Sequence, residues 1–100
     1  MHSKGHLHQA IILTDSDWEK FKAQFELHYP DFYIRLHEKL PLLTPSEIRL
    51  ITLLKLQLST RAMAAILGIS PQSIIKTRYR LKKKMKLDKN KKLDSALEWI

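Results

Sequence analysis

The stretch Ser59–Leu87, STRAMAAILGISPQSIIKTRYRLKKKMKL, restricts the fold more than any other part of the chain. Thr60 to Leu67 is built from helix-compatible residues. Gly68 follows where a left-handed residue closes a helix end without a Cβ penalty. Ser70 offers an N-cap oxygen, and Pro71 supplies the fixed φ favoured at the first helical position. Two helices joined by a three- to four-residue turn containing Gly form a helix-turn-helix. In such motifs the second helix, here about residues 70–86, is the one that enters the major groove of DNA.

At about 100° per residue the second helix separates into two faces. Ile74, Leu81 and Met85 group at i, i+7 and i+11, with Arg78 at the edge of that arc. Opposite them, Gln72, Lys76, Tyr79 and Lys83 align at i, i+4, i+7 and i+11. One face can pack on a core. The other carries amide, ammonium and phenol groups suited to base edges and phosphates. The plain alternative is a solvated basic face, since charge runs on surface helices are common.

The distribution of charge weighs against that alternative. The net charge of +8 is uneven: Lys76 to Lys92 holds ten bases and one acid, Asp88, and the remaining residues hold eight bases and nine acids. A local positive field on a near-neutral body is the footprint of a polyanion binder, most often nucleic acid. A membrane surface would attract the same patch, but the basic helix lacks the bulky apolar anchors of an interfacial segment. No apolar run approaches the length of about 20 residues that a membrane span needs, and residues 1–13 lack a signal-peptide core. A cytoplasmic protein without a membrane partner is expected. The absence of cysteine excludes disulfides, thiol catalysis and cysteine-ligated zinc.

The rest of the chain reads as helices. Residues 1–13 are expected to be a flexible leader; His2, His6 and His8 lie there without further ligands, so no metal site is assigned. Ile11 to Leu13 form a short apolar patch that continues an upstream element or packs on the first helix. Thr14 with Asp17, and Thr44 with Glu47, have capping-box spacing, and Leu13 and Leu43 stand at staple positions. The spacing predicts a helix over Asp15–His28 with Trp18, Phe21, Phe25 and Tyr29 on one side. Pro30 interrupts it, and a second helix from Asp31 to about Leu40 groups Phe32, Tyr33, Leu36 and Leu40. This aromatic stripe is expected to pack or to mediate oligomerisation. The helix Pro45–Leu56 has apolar residues over a wide arc and belongs at the centre of the core. Leu93, Ala96, Leu97 and Ile100 give a last amphipathic helix after a polar break at 88–90.

Residues 43–87, LTPSEIRLITLLKLQLSTRAMAAILGISPQSIIKTRYRLKKKMKL, resemble the C-terminal DNA-binding domain of LuxR/NarL-type (GerE-like) transcription regulators. The features that carry the resemblance are Leu43-Thr44-Pro45 with Glu47, Leu53-Leu54, Leu58-Ser59, Ala64, Leu67, Ile69-Ser70, Ile74, Arg78, Leu81 and Lys84 to Leu87. The Trp18–Phe32 aromatic pattern is similar to the extension preceding this domain in a subgroup of multidomain regulators. The resemblance implies an all-α, tetrahelical, winged-helix-like domain over 43–100, with 14–42 as a helical extension serving as linker or dimerisation element. It also implies an upstream sensor or regulatory domain, dimeric DNA binding, and contact with RNA polymerase as a further option. Gln57 and Lys86 stand where the family commonly has Gly, Ala62 where it usually has Glu, and Ile75 where a basic or polar residue is frequent.

The chain is therefore expected to bind double-stranded DNA sequence-specifically, as the output domain of a transcription regulator. Gln72, Ile75, Lys76 and Tyr79 would read bases; Thr60, Arg61, Ser73, Arg78, Arg80, Lys83 and Lys84 would meet phosphates. Leu93, Leu97, Trp99 and Ile100 would form a dimer interface. No cofactor is implied, and no nucleophile–base pair or phosphate loop suggests an enzyme. The alternatives are a module resembling region 4 of a polymerase sigma factor, or a helical protein-interaction module that docks a partner on its aromatic stripe.

Overall fold

In the computed structural model of the protein, residues 11–87 and 90–98 are described; expectations for residues 1–10, Asp88, Lys89, Trp99 and Ile100 lie outside them. The described residues are all-helical, with five helices of eight residues or more and a final single turn. In chain order these are α1 (Asp15–His28), α2 (Phe32–Lys39), α3 (Pro45–Lys55), α4 (Thr60–Leu67), α5 (Pro71–Lys84) and α6 (Leu93–Ala96). The run α3–α6 is the expected set of four, preceded by the two helices of the extension.

Local chemistry sets the ends of these helices. Thr14 Oγ1 accepts from the Asp17 N–H at 3.0 Å while the Asp17 carboxylate accepts from the Leu13 and Thr14 N–H groups. Those backbone donors, led by Leu13, hold the Asp17 carboxyl below its ordinary range. Thr44 and Glu47 repeat the arrangement at the start of α3. Ser59 and Ser70 cap α4 and α5 through single hydroxyl acceptors. Gly68 closes α4 at φ 66°. Among the described residues, Asp31 at 65°, Gln57 at 61° and Lys86 at 54° also hold positive φ.

A single core runs through both halves of the chain. Trp18, Phe21, Phe25, Phe32 and Leu36 from α1 and α2 join Leu50, Leu53 and Leu54 from α3 and Met63, Ile66, Ile74 and Leu81 from α4 and α5. The rings of Phe25 and Phe32 meet edge to face at 4.9 Å between centroids, a geometry their quadrupoles favour. Polar ties fasten the same junction. Tyr33 Oη and Thr52 Oγ1 are 2.7 Å apart, and burial pushes the Tyr33 phenol well above its ordinary value. Arg49 pairs with Asp15 at 3.0 Å and lies over the Trp18 ring at 5.4 Å.

Packing gives two of the expected segments a definite place. The aromatic stripe of the extension 14–42 is an integral layer of the core. Of the stripe, only Tyr29, Tyr33 and Leu40 remain partly exposed. Residues 11–13 are not part of a flexible leader. Ile12 is buried, its N–H donates to Ile66 O at 2.7 Å, and the Leu13 side chain lies over Gly68. The segment is a strap across the end of α4.

Candidate nucleic-acid interface

The interface candidate begins with the inward face of α5. Ile74, Thr77 and Leu81 are buried against α3 and α4, and that anchoring decides which side chains α5 can present. Facing outward are Gln72, Ile75, Lys76, Tyr79 and Lys83, all exposed. Their spacing of i, i+3, i+4, i+7 and i+11 makes one continuous stripe along the helix. Lys83 Nζ lies 4.7 Å from the centroid of the Tyr79 ring, so the two side chains support each other by a cation–π contact. The four expected base-reading residues are thus brought together on one accessible face.

The flank of α5 toward α4 forms a groove of about 490 Å³ lined by Ser59, Thr60, Ile75, Arg78, Tyr79 and Lys82 among others. Thr60 begins α4, where the unpaired N–H groups of a helix N-terminus favour an anion. Thr60 and Arg78 are half-buried, and Arg61 is exposed one residue further along. Thr60 and Arg78, two of the expected phosphate contacts, therefore line the same groove as Ile75 and Tyr79 of the outward stripe.

The opposite flank does something else. Lys84 Nζ donates to Glu47 Oε1 at 2.6 Å and to Leu42 O at 3.0 Å. Arg80 Nε stands 4.0 Å from Glu47 Oε2, and its terminal nitrogen donates to Thr77 Oγ1 at 3.1 Å. The Glu47 side chain is only 1% exposed, against 36% for Lys84 and 56% for Arg80. Burial alone would raise this carboxyl. The Lys84 hydrogen bond and charge, with the Thr44 N–H, outweigh that and hold it below its ordinary value of 4.5.

Lys84 therefore acts as a structural tether, its ammonium engaged by a buried carboxylate that competes with the expected phosphate contact. Arg80 is partly drawn to the same carboxylate, although more than half of its side chain remains open. Ser73 lies at the start of the same helix. It is half-buried, its N–H donates to Ser70 Oγ at 3.2 Å, and the two hydroxyls are 3.1 Å apart, so it serves the helix cap. What the sequence missed here is Glu47 as the post to which the end of α5 is tied. The one available signal is that Arg80 and Lys84, four residues apart, share a helix side.

The expected dimer interface is only partly placed. Leu93 and Leu97 are 2% and 4% exposed. Their side chains complete the monomer's own core and present no surface to a second subunit. Trp99 and Ile100 lie outside the described residues. Comparison with protein-family models, curated proteins and solved structures finds no match to this chain.

Proposed function

We propose that this protein reads double-stranded DNA with α5 in the major groove, as the output module of a transcription regulator acting in the cytoplasm. One observation carries the reading: the exposed stripe Gln72–Ile75–Lys76–Tyr79–Lys83 stands on a helix whose other face is locked into the core. The elements of a reader are supplied in the right order. A rigid inner face fixes register, Thr60 at the α4 start and Arg78 line the groove for phosphate contact, and the stripe offers donors and apolar surface to base edges. The excess of bases over 76–92 gives the field that draws in a polyanion. The likeness of residues 43–87 to LuxR/NarL-type regulators points the same way and adds an upstream sensory partner.

A single module of this size covers few base pairs, so two copies on a two-fold symmetric site belong to the proposal. The contact between them must use surfaces other than Leu93 and Leu97. Anisotropy of a labelled random-sequence duplex, titrated across salt, tests the electrostatic part. The observed constant is expected to fall as a power of salt concentration, with a slope of about −0.9 per phosphate neutralised. No binding to duplex DNA at low salt would refute the proposal. Stable co-purification with core RNA polymerase would favour the sigma-like alternative.

A further inference from the structure

The most unusual residue of the outward stripe is Ile75. It is 57% exposed on a helix whose other exposed positions are almost all polar or charged, and Tyr79, one turn on, is 60% exposed. Leu58 and the methyl-bearing Thr60 lie across the groove from them. Branching at Cβ leaves isoleucine one strongly preferred χ1 rotamer in a helix. The stripe therefore carries a stiff apolar knob with basic residues on either side: Lys76 next to it, Lys83 beyond Tyr79.

Resting on the DNA-reading assignment above, we infer that Ile75 makes the protein selective for a pyrimidine bearing a 5-methyl group. The argument is one of elimination in the major groove. Guanine and adenine present N7 and either O6 or an amino group there, and cytosine presents an amino group. Ile75 can pair with none of these, and covering them leaves a buried polar atom without a partner. The one apolar group that projects into the groove is the 5-methyl of thymine, which 5-methylcytosine shares. Against that methyl, Ile75 loses water on both sides with no polar group stranded. The charge around it makes DNA, rather than an apolar protein surface, the fitting occupant of the groove. Tyr79 borders the contact and restricts where the methyl can sit.

The test uses duplexes enriched by the full chain from a random pool, then resynthesised with deoxyuridine in place of thymidine at one position at a time. Deoxyuridine keeps every hydrogen-bonding group and lacks only the methyl. At one or two positions the wild-type protein is expected to bind the thymidine duplex about four-fold more tightly, the factor for burying one methyl-sized group. Ile75→Ala is expected to bind both duplexes equally at those positions. At the same positions 5-methyldeoxycytidine is compared with deoxycytidine; a gain with the methyl shows that the methyl is recognised whichever base carries it, and a gain with thymidine alone restricts the ligand to thymine. Tight, sequence-selective binding with no thymidine–deoxyuridine difference at any position would overturn the inference and leave DNA reading intact. A difference that survives Ile75→Ala would remove the assignment to Ile75. Failure to enrich or bind any duplex would overturn both readings.

Discussion

Lys83 and Lys84 are neighbours of equal charge in different surroundings: Lys83 Nζ lies over the exposed Tyr79 ring, and Lys84 Nζ pairs with the buried Glu47. Replacing either by Met removes one positive charge from the same helix turn. Lys84→Met strands the Glu47 carboxylate, 1% exposed, with the Thr44 N–H at 2.9 Å and Arg80 at 4.0 Å as its remaining partners. Breaking a buried pair costs about 3–5 kcal/mol, but an exposed one only about 0–1 kcal/mol. Because the Lys84 side chain is 36% exposed, solvent screening places the loss between these limits, at about 2 kcal/mol. For a domain of this size that lowers Tm by about 8–16 °C.

Lys83→Met gives up only a surface contact with Tyr79, so its Tm is expected to change by no more than a few degrees. The order reverses for DNA. Lys83→Met should reduce the magnitude of the log–log salt slope by about 1. Lys84→Met, assayed well below its melting transition, should leave that slope unchanged. Thermal melting by circular dichroism and duplex anisotropy at several salt concentrations measure both quantities. A Lys84 variant with unaltered Tm and a slope lowered as much as that of Lys83→Met would refute the division of labour.

Other outcomes follow from the same coordinates. The Glu47 carboxyl is depressed in the folded state, so the stability it contributes is present above its ordinary value of 4.5 and lost as pH falls through the folded value. Acid melting curves of the wild type should show this loss, and Glu47→Gln should remove that part of the pH dependence. Gln57, held at φ 61°, pays about 1–2 kcal/mol for the left-handed region. Gln57→Gly recovers this less the roughly 0.5–1 kcal/mol of chain entropy that glycine loses on folding, so a small rise in Tm is expected. Gly68→Ala should lower Tm, because φ is 66°, where a Cβ is strained; the exposed end of the Leu13 side chain would only have to move aside. Ile12→Ala should destabilise by about 2–4 kcal/mol in denaturant unfolding; an unchanged midpoint would return residues 11–13 to the status of a loose leader.

The helices were legible where their determinants are local. Both capping boxes lie within four residues of chain, and Ser70-Pro71 and Gly68 punctuate the turn with equal economy. The inner face of α5 was legible because Ile74 and Leu81 repeat at helical spacing. The fate of Lys84 was not, since its partner Glu47 is 37 positions away and its spacing from Arg80 marks a shared helix side without naming what that side meets. Leu93 and Leu97 show a related limit. Periodicity establishes that a face is apolar, but only packing decides whether the same chain or another covers it. Ile12 is the third case: three apolar residues before a capping box do not disclose that a backbone bond to Ile66 will dock them.

The central claim, that the outward stripe of α5 reads DNA bases, is tested most directly by selecting bound sequences from a random duplex pool. The account predicts a short enriched motif, two-fold symmetric if two copies bind. Binding to it should exceed binding to its scrambled counterpart at equal salt, and Gln72→Ala or Lys76→Ala should relax preference at particular positions. A pool that returns unenriched, with no duplex bound even at low salt, would contradict it.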